Sequence, residues 1–149
     1  MTSVLEVPQG LSYVAAALVS TVILLAGQNI TVSKYRKAAG IKYPQAYAEL
    51  SQVEASVDAL KFNCAQRAHQ NTLENIPIIV LSTLVSAVKL PHIAAASCGL
   101  WVVSRVLYTR GYVTGKPEKR NAGGFGYLPT IVLLGTSLYA AGSLVLAGI

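Results

Sequence analysis

Apolar residues along the chain gather into four long stretches, Leu11–Gly27, Ile76–Leu90, Pro91–Tyr108 and Tyr127–Ile149. None shows the alternation with period two that a membrane barrel strand requires. Each can be extended to about 20 residues, the length of a helix that crosses a bilayer. The pattern predicts an all-α chain, a four-helix transmembrane bundle. It forms one domain over 1–149, with spans near 10–32, 71–90, 91–112 and 127–148. Glu6 is the sole charge before the first stretch. With no basic n-region and no small-residue cleavage site, that stretch reads as a retained helix rather than a signal peptide.

The polar positions between these stretches are unevenly placed. Phe62–Pro77, reading FNCAQRAHQNTLENIP, runs directly into Ile76–Leu90, which is too short to span alone. Counting back about 20 residues from Leu90 reaches Asn71, so Asn71 and Glu74 are expected within the membrane thickness. Ionisable groups at that depth are costly and mark functional sites. Upstream, Leu50, Val53, Val57 and Leu60 recur at spacings of three and four, with Glu49, Glu54, Asp58 and Lys61 on the complementary face. This predicts an amphipathic helix with Pro44 in its first turn, continuing unbroken into the second span as a cytosolic extension, with Pro77 kinking it slightly. Lys89–His92 is expected to turn, Pro91 to open the third helix, and Asn121–Gly126 to be a flexible loop.

Composition agrees with a membrane chain: 53% of residues are hydrophobic and 12% charged, about half the charge of a soluble domain. The net charge of +6 is lopsided. Lys34, Arg36, Lys37, Lys42, Lys61 and Arg67 surround the first loop, and Arg110, Lys116, Lys119 and Arg120 the third, while the second holds only Lys89. Positive residues stay cytosolic, so loops one and three are expected in the cytosol and both termini opposite. Topology explains the charge, and no nucleic-acid partner is needed. Cys64 and Cys98 support neither a disulfide framework nor a metal site.

At 100° per residue, Arg67, Asn71 and Glu74 share one helix face. Gln70 flanks them and His69 points nearly opposite. Arg105, Tyr108 and Tyr112 share a face of the third helix in the same way. Both stripes lie toward the cytosolic ends, where they can meet within a subunit or across an interface. One reading pairs Arg105 with Glu74 for neutralisation and assigns the tyrosines to an interfacial belt. The other joins a cation, a carboxylate, a carboxamide and two phenols in one site. Their density on one side favours the site.

Those residues, with RVLYTRGYVTGKPEKR at Arg105–Arg120, resemble the MAPEG family of membrane glutathione-dependent enzymes over nearly the whole chain. The resemblance implies a homotrimer of four-helix subunits in the endoplasmic reticulum, with glutathione bound between neighbours at the cytosolic side. It implies Arg67, Asn71, Glu74, Tyr108 and Tyr112 as glutathione contacts, His69 beside them, and Arg36 from the adjoining subunit. Asn75 stands where some relatives carry a tyrosine. The family's thiol-activating arginine lies seven residues after the second tyrosine; that count reaches Lys119, with Arg120 next, so both are candidate catalytic cations. Arg105 is an ion-pair or supporting residue, and no metal is implied.

The implied activity is conjugation of glutathione, as cosubstrate, to hydrophobic electrophiles arriving from membrane lipid, with reduction of lipid hydroperoxides beside it. The rival reading is a non-enzymatic lipid-binding accessory or scaffold protein of the same family. A small channel is a third, for which the chain lacks paired discontinuous helices or a repeated half.

Overall fold

The computed structural model describes residues 7–149, so Glu6 lies outside the described residues. Among those residues there is no strand. The helices are α1 (Leu11–Ala39), α2 (Leu50–Ala55), α3 (Val57–Ala87), α4 (Pro91–Tyr112) and α5 (Tyr127–Leu146), with a 3-10 segment over Pro117–Gly126. By length and composition, α1 and the Pro117–Leu146 stretch suffice to cross a membrane. The helices α3, 31 residues long, and α4, 22 residues long, carry the polar stripes.

One stripe of α1 is buried: Val14, Ala17, Thr21, Leu24, Gln28, Val32 and Arg36. These recur at three and four, so a single helix face packs against α3 and α4. The helix runs well past Gln28-Asn29, and stops where Gly40 takes a left-handed conformation with φ 67°. There the Ile41 N–H returns to the Arg36 carbonyl at 3.2 Å, a closure that favours glycine.

The continuous amphipathic helix expected from Pro44 is not formed. Residues 41–48 are non-helical, α2 is six residues long, and Ser56 breaks it from α3 in an extended conformation. Two clamps explain this. The Arg36 guanidinium donates to the carbonyl of Gln45 at 2.7 Å and lies 4.3 and 4.5 Å from the Tyr43 and Phe62 rings. Asn63 bonds both backbone groups of Ala48, at 2.7 and 2.9 Å. These bonds tie the connection down sideways across α3, and the Ser56 hydroxyl caps the new helix at Ala59. Periodicity alone does not contain these long-range bonds.

Pro77 sits inside α3 without ending it, and α4 opens at Pro91 as expected. The faces that meet are lined by small residues: Ala65, Ala68, Thr72, Thr83 and Ser86 on α3, Ala94, Cys98 and Ser104 on α4. Small side chains let helices approach closely where lipid removes the usual hydrophobic drive. Ile79, Trp101 and Leu133 fill the space between them. Outward, α5 leaves Leu128, Ile131, Leu138 and Val145 exposed, an apolar coat suited to lipid.

Asn121–Gly126 is not an irregular loop. It belongs to the 3-10 segment, which lies against α4. Gly123 and Gly126 make this possible: a Cβ on Gly123 would meet the Ser104 carbonyl and the Tyr108 side chain, and one on Gly126 would meet the Ser104 hydroxyl. Gly123→Ala is therefore expected to destabilise the chain by about 1–3 kcal/mol, the usual cost of overpacking. A thermal unfolding midpoint in detergent equal to that of the parent would contradict this contact.

Candidate functional site

Between α3, α4 and the 3-10 segment lies a cleft of about 500 Å³. Arg67 and Asn71 enter it from α3, Arg105, Tyr108 and Tyr112 from α4, and Arg120 from the 3-10 segment. The two sequence stripes thus meet within a single subunit. Trp101, Asn121, Tyr127 and Thr130 complete walls that sequence spacing does not reveal. The glycines of Asn121–Gly126 were the available signal, since Gly123 and Gly126 recur at the three-residue period of a 3-10 turn.

Glu74 borders this group through an ion pair with Arg67 at 2.9 Å, both side chains nearly half exposed. The bond to Glu74 pushes the Arg67 pKa up, so the guanidinium stays charged. An exposed pair of this kind contributes little to stability. Its value lies in offering a cation and an anion side by side.

Arg105 does not pair with Glu74. It donates to the Asn71 carboxamide oxygen at 2.7 Å and more weakly to Thr72 at 3.4 Å, and its guanidinium lies 3.9 Å from the centre of the Tyr108 ring. The bond to Oδ1 orients the Asn71 amide with its N–H groups free for the cleft and for Glu74, whose Oε2 is 3.5 Å away. Tyr108 and Tyr112 meet edge to face with centroids 5.4 Å apart.

Packing of the 3-10 segment places Lys119 and Arg120 differently. The Lys119 carbonyl rests against Gly111, where a Cβ would collide with it. The Lys119 side chain is exposed and does not line the cleft. Arg120, one residue later, donates to the Tyr112 hydroxyl at 3.0 Å. That hydrogen bond raises its pKa, so it is a fixed cation at any working pH.

His69 and Arg36 lie away from the cleft. His69 faces α1, its Nδ1 3.4 Å from the Gln28 side-chain oxygen. Gln28 in turn donates to Thr72 at 2.9 Å and Thr109 at 2.7 Å, a buried polar junction among α1, α3 and α4. Arg36 is buried in the clamp described above. Cys64 is buried, and burial raises its thiol pKa against the opposing pull of Arg120. A buried thiol with a raised pKa is a poor nucleophile.

Chemically, the cleft offers an ion pair at its border, an oriented amide, two phenols and two further cations, Arg105 and Arg120, all within a groove open at one side of the bundle. Residues 14–139 match the model of the MAPEG family.

Proposed function

The chain belongs to the MAPEG family, and from that premise we propose that it is a membrane-bound glutathione transferase. Members of this family are membrane proteins, and they include glutathione transferases as well as non-enzymatic proteins. The reading is carried by one observation: Arg67, Asn71, Tyr108, Tyr112 and Arg120 line one cleft. Across Phe62–Pro77 and Arg105–Arg120 the chain is similar to microsomal glutathione S-transferase 3. The working assembly is a homotrimer in the endoplasmic reticulum, its clefts facing the cytosol.

Glutathione has two carboxylates, one ammonium, two peptide units and a thiol. The Arg67–Glu74 pair matches the α-amino acid end of the tripeptide, guanidinium to carboxylate and carboxylate to ammonium. Asn71, held by Arg105, donates to a peptide carbonyl. The thiol then lies near Tyr112 and Arg120. A free thiol ionises near pH 8.5, and an adjacent cation lowers that value. Tyr112 already accepts a bond from Arg120, which leaves its own proton to donate to the thiolate sulfur. The sulfur attacks the electrophilic carbon, a C–S bond forms and the leaving group departs with its electron pair. With a lipid hydroperoxide, two glutathione thiols are oxidised to the disulfide while the peroxide becomes an alcohol and water.

The test is consumption of glutathione thiol by the detergent-solubilised protein, assayed with an apolar electrophile and separately with a lipid hydroperoxide. Turnover above the uncatalysed rate with either is expected. No turnover with both, in protein that still binds lipid, would replace the enzyme with the family's non-enzymatic, lipid-presenting role.

A further inference from the structure

A second cavity lies on another face of the bundle, between α1 and α4, with a volume of about 400 Å³. Ile23, Leu24 and Gly27 form one wall, and Val102 and Val106 the other. Arg110 apart, the hydrogen-bond donors of its polar lining are already in use. Ser20 donates to the Ala17 carbonyl at 2.6 Å, Thr31 to Gly27 at 2.8 Å and Thr109 to Arg105 at 2.8 Å. The Gln28 amide is spent on Thr72 and Thr109, and its oxygen faces His69. An occupant therefore meets an apolar trough. Ser20 and Thr31 lie about 16 Å apart along the helix axis, so the trough is long and narrow.

The exception stands at one end. Arg110, in the last turn of α4, lines the cavity, is exposed, and has no acidic partner among the described residues. Lys34 and Lys37 are exposed near the corresponding end of α1. Cationic side chains at the end of a membrane helix sit at the level of the lipid head groups. Beside the trough, Ile30 on α1 and Val103 on α4 expose further apolar side chains.

We propose that this groove is a binding site for an anionic phospholipid, with one acyl chain laid between α1 and α4 and its phosphate held by Arg110. The second chain rests on the exposed valine and isoleucine surface beside the trough. The assignment follows from charge complementarity at one end and a saturated, apolar lining along the rest. It does not depend on the glutathione reading, because none of the groove's residues lines the other cleft.

Gly27 makes a direct test possible. A Cβ there meets nothing within 4 Å, so Gly27→Leu fills the trough without a backbone clash. The protein is extracted in mild detergent, exposed to phosphatidylglycerol and phosphatidylcholine of identical chains, and weighed by native mass spectrometry. The parent protein is expected to retain phosphatidylglycerol about five-fold over phosphatidylcholine, the preference one arginine gives near a membrane surface. Arg110→Gln is expected to equalise the two, and Gly27→Leu to reduce retention of both. Unfolding midpoints accompany each variant; Val106→Phe, from the opposite wall, replaces Gly27→Leu if that variant unfolds. Equal retention of both lipids by the parent would overturn the proposal. So would undiminished retention by a folded trough-filling variant. Loss of subunit association in that variant with lipid retention intact would overturn it too, giving the groove to a second copy of the chain.

Discussion

Arg120→Ala is expected to return bound glutathione to ordinary thiol behaviour, whereas Lys119→Ala is expected to leave it close to the parent. The contrast follows from the 3-10 segment. Both side chains are exposed, but only Arg120 lines the cleft and bonds Tyr112, while the Lys119 carbonyl rests against Gly111. If the bound thiol ionises near pH 6, within the range a neighbouring cation produces, about 90% is thiolate at pH 7; at a free-thiol value near 8.5 only about 3% is. The loss is therefore about 30-fold in thiolate at neutral pH. The sign is fixed as well. A depressed pKa supplies thiolate as pH rises through the lower value, so removing the cation moves the rate profile to higher pH, and activity partly recovers above pH 8.5. Ultraviolet absorbance of the bound thiolate against pH reads this without turnover. An unshifted titration in Arg120→Ala, or a shift confined to Lys119→Ala, would remove Arg120 from the activating role.

That choice between neighbouring cations shows where sequence reasoning loses its grip. The stripes at Arg67, Asn71, Glu74 and at Arg105, Tyr108, Tyr112 were legible because a regular helix converts spacing into direction. The long helices were legible for the same reason: their apolar runs have the required length. Arg120 sits beyond the end of α4, where the path depends on Gly111, Gly123 and Gly126 meeting atoms distant in sequence. Glycine-rich composition suggested a loop without order, although here glycine permits close packing. The break at Ser56 was hidden likewise, since Asn63 and Arg36 hold residues 45–48 through bonds no local pattern announces. Of the two roles open to Arg105, ion pair with Glu74 or supporting residue, the structure shows the second. Helical spacing put it on the correct face, but the choice between Glu74 and Asn71 depends on the offset between α3 and α4. Gln28, next to Asn29 in α1, gave no sign that three helices join through it.

Arg67→Ala is expected to weaken glutathione binding by about 100-fold, with Arg67→Lys recovering only part of the loss. A guanidinium makes two parallel charged bonds to a carboxylate, each worth about 1.5–3 kcal/mol, whereas an ammonium is a single point charge. Some of that gain is offset in the free protein, where Arg67 already bonds Glu74 at 2.9 Å. Exposed pairs of this type are worth at most about 1 kcal/mol, which leaves about 2–5 kcal/mol; the half-exposed setting of Arg67 puts the loss toward the lower end, about 100-fold. Glu74 provides the control. If the pair clamps both charges of one amino acid group, Glu74→Gln weakens binding as well, and the double variant loses less than the sum of the two single losses. If Arg67 acts alone, Glu74→Gln instead frees the guanidinium and binding tightens. Calorimetric titration of glutathione into detergent-solubilised protein distinguishes these outcomes. Unchanged affinity in a folded Arg67→Ala variant would place the tripeptide elsewhere, while leaving the anionic lipid groove between α1 and α4 untouched.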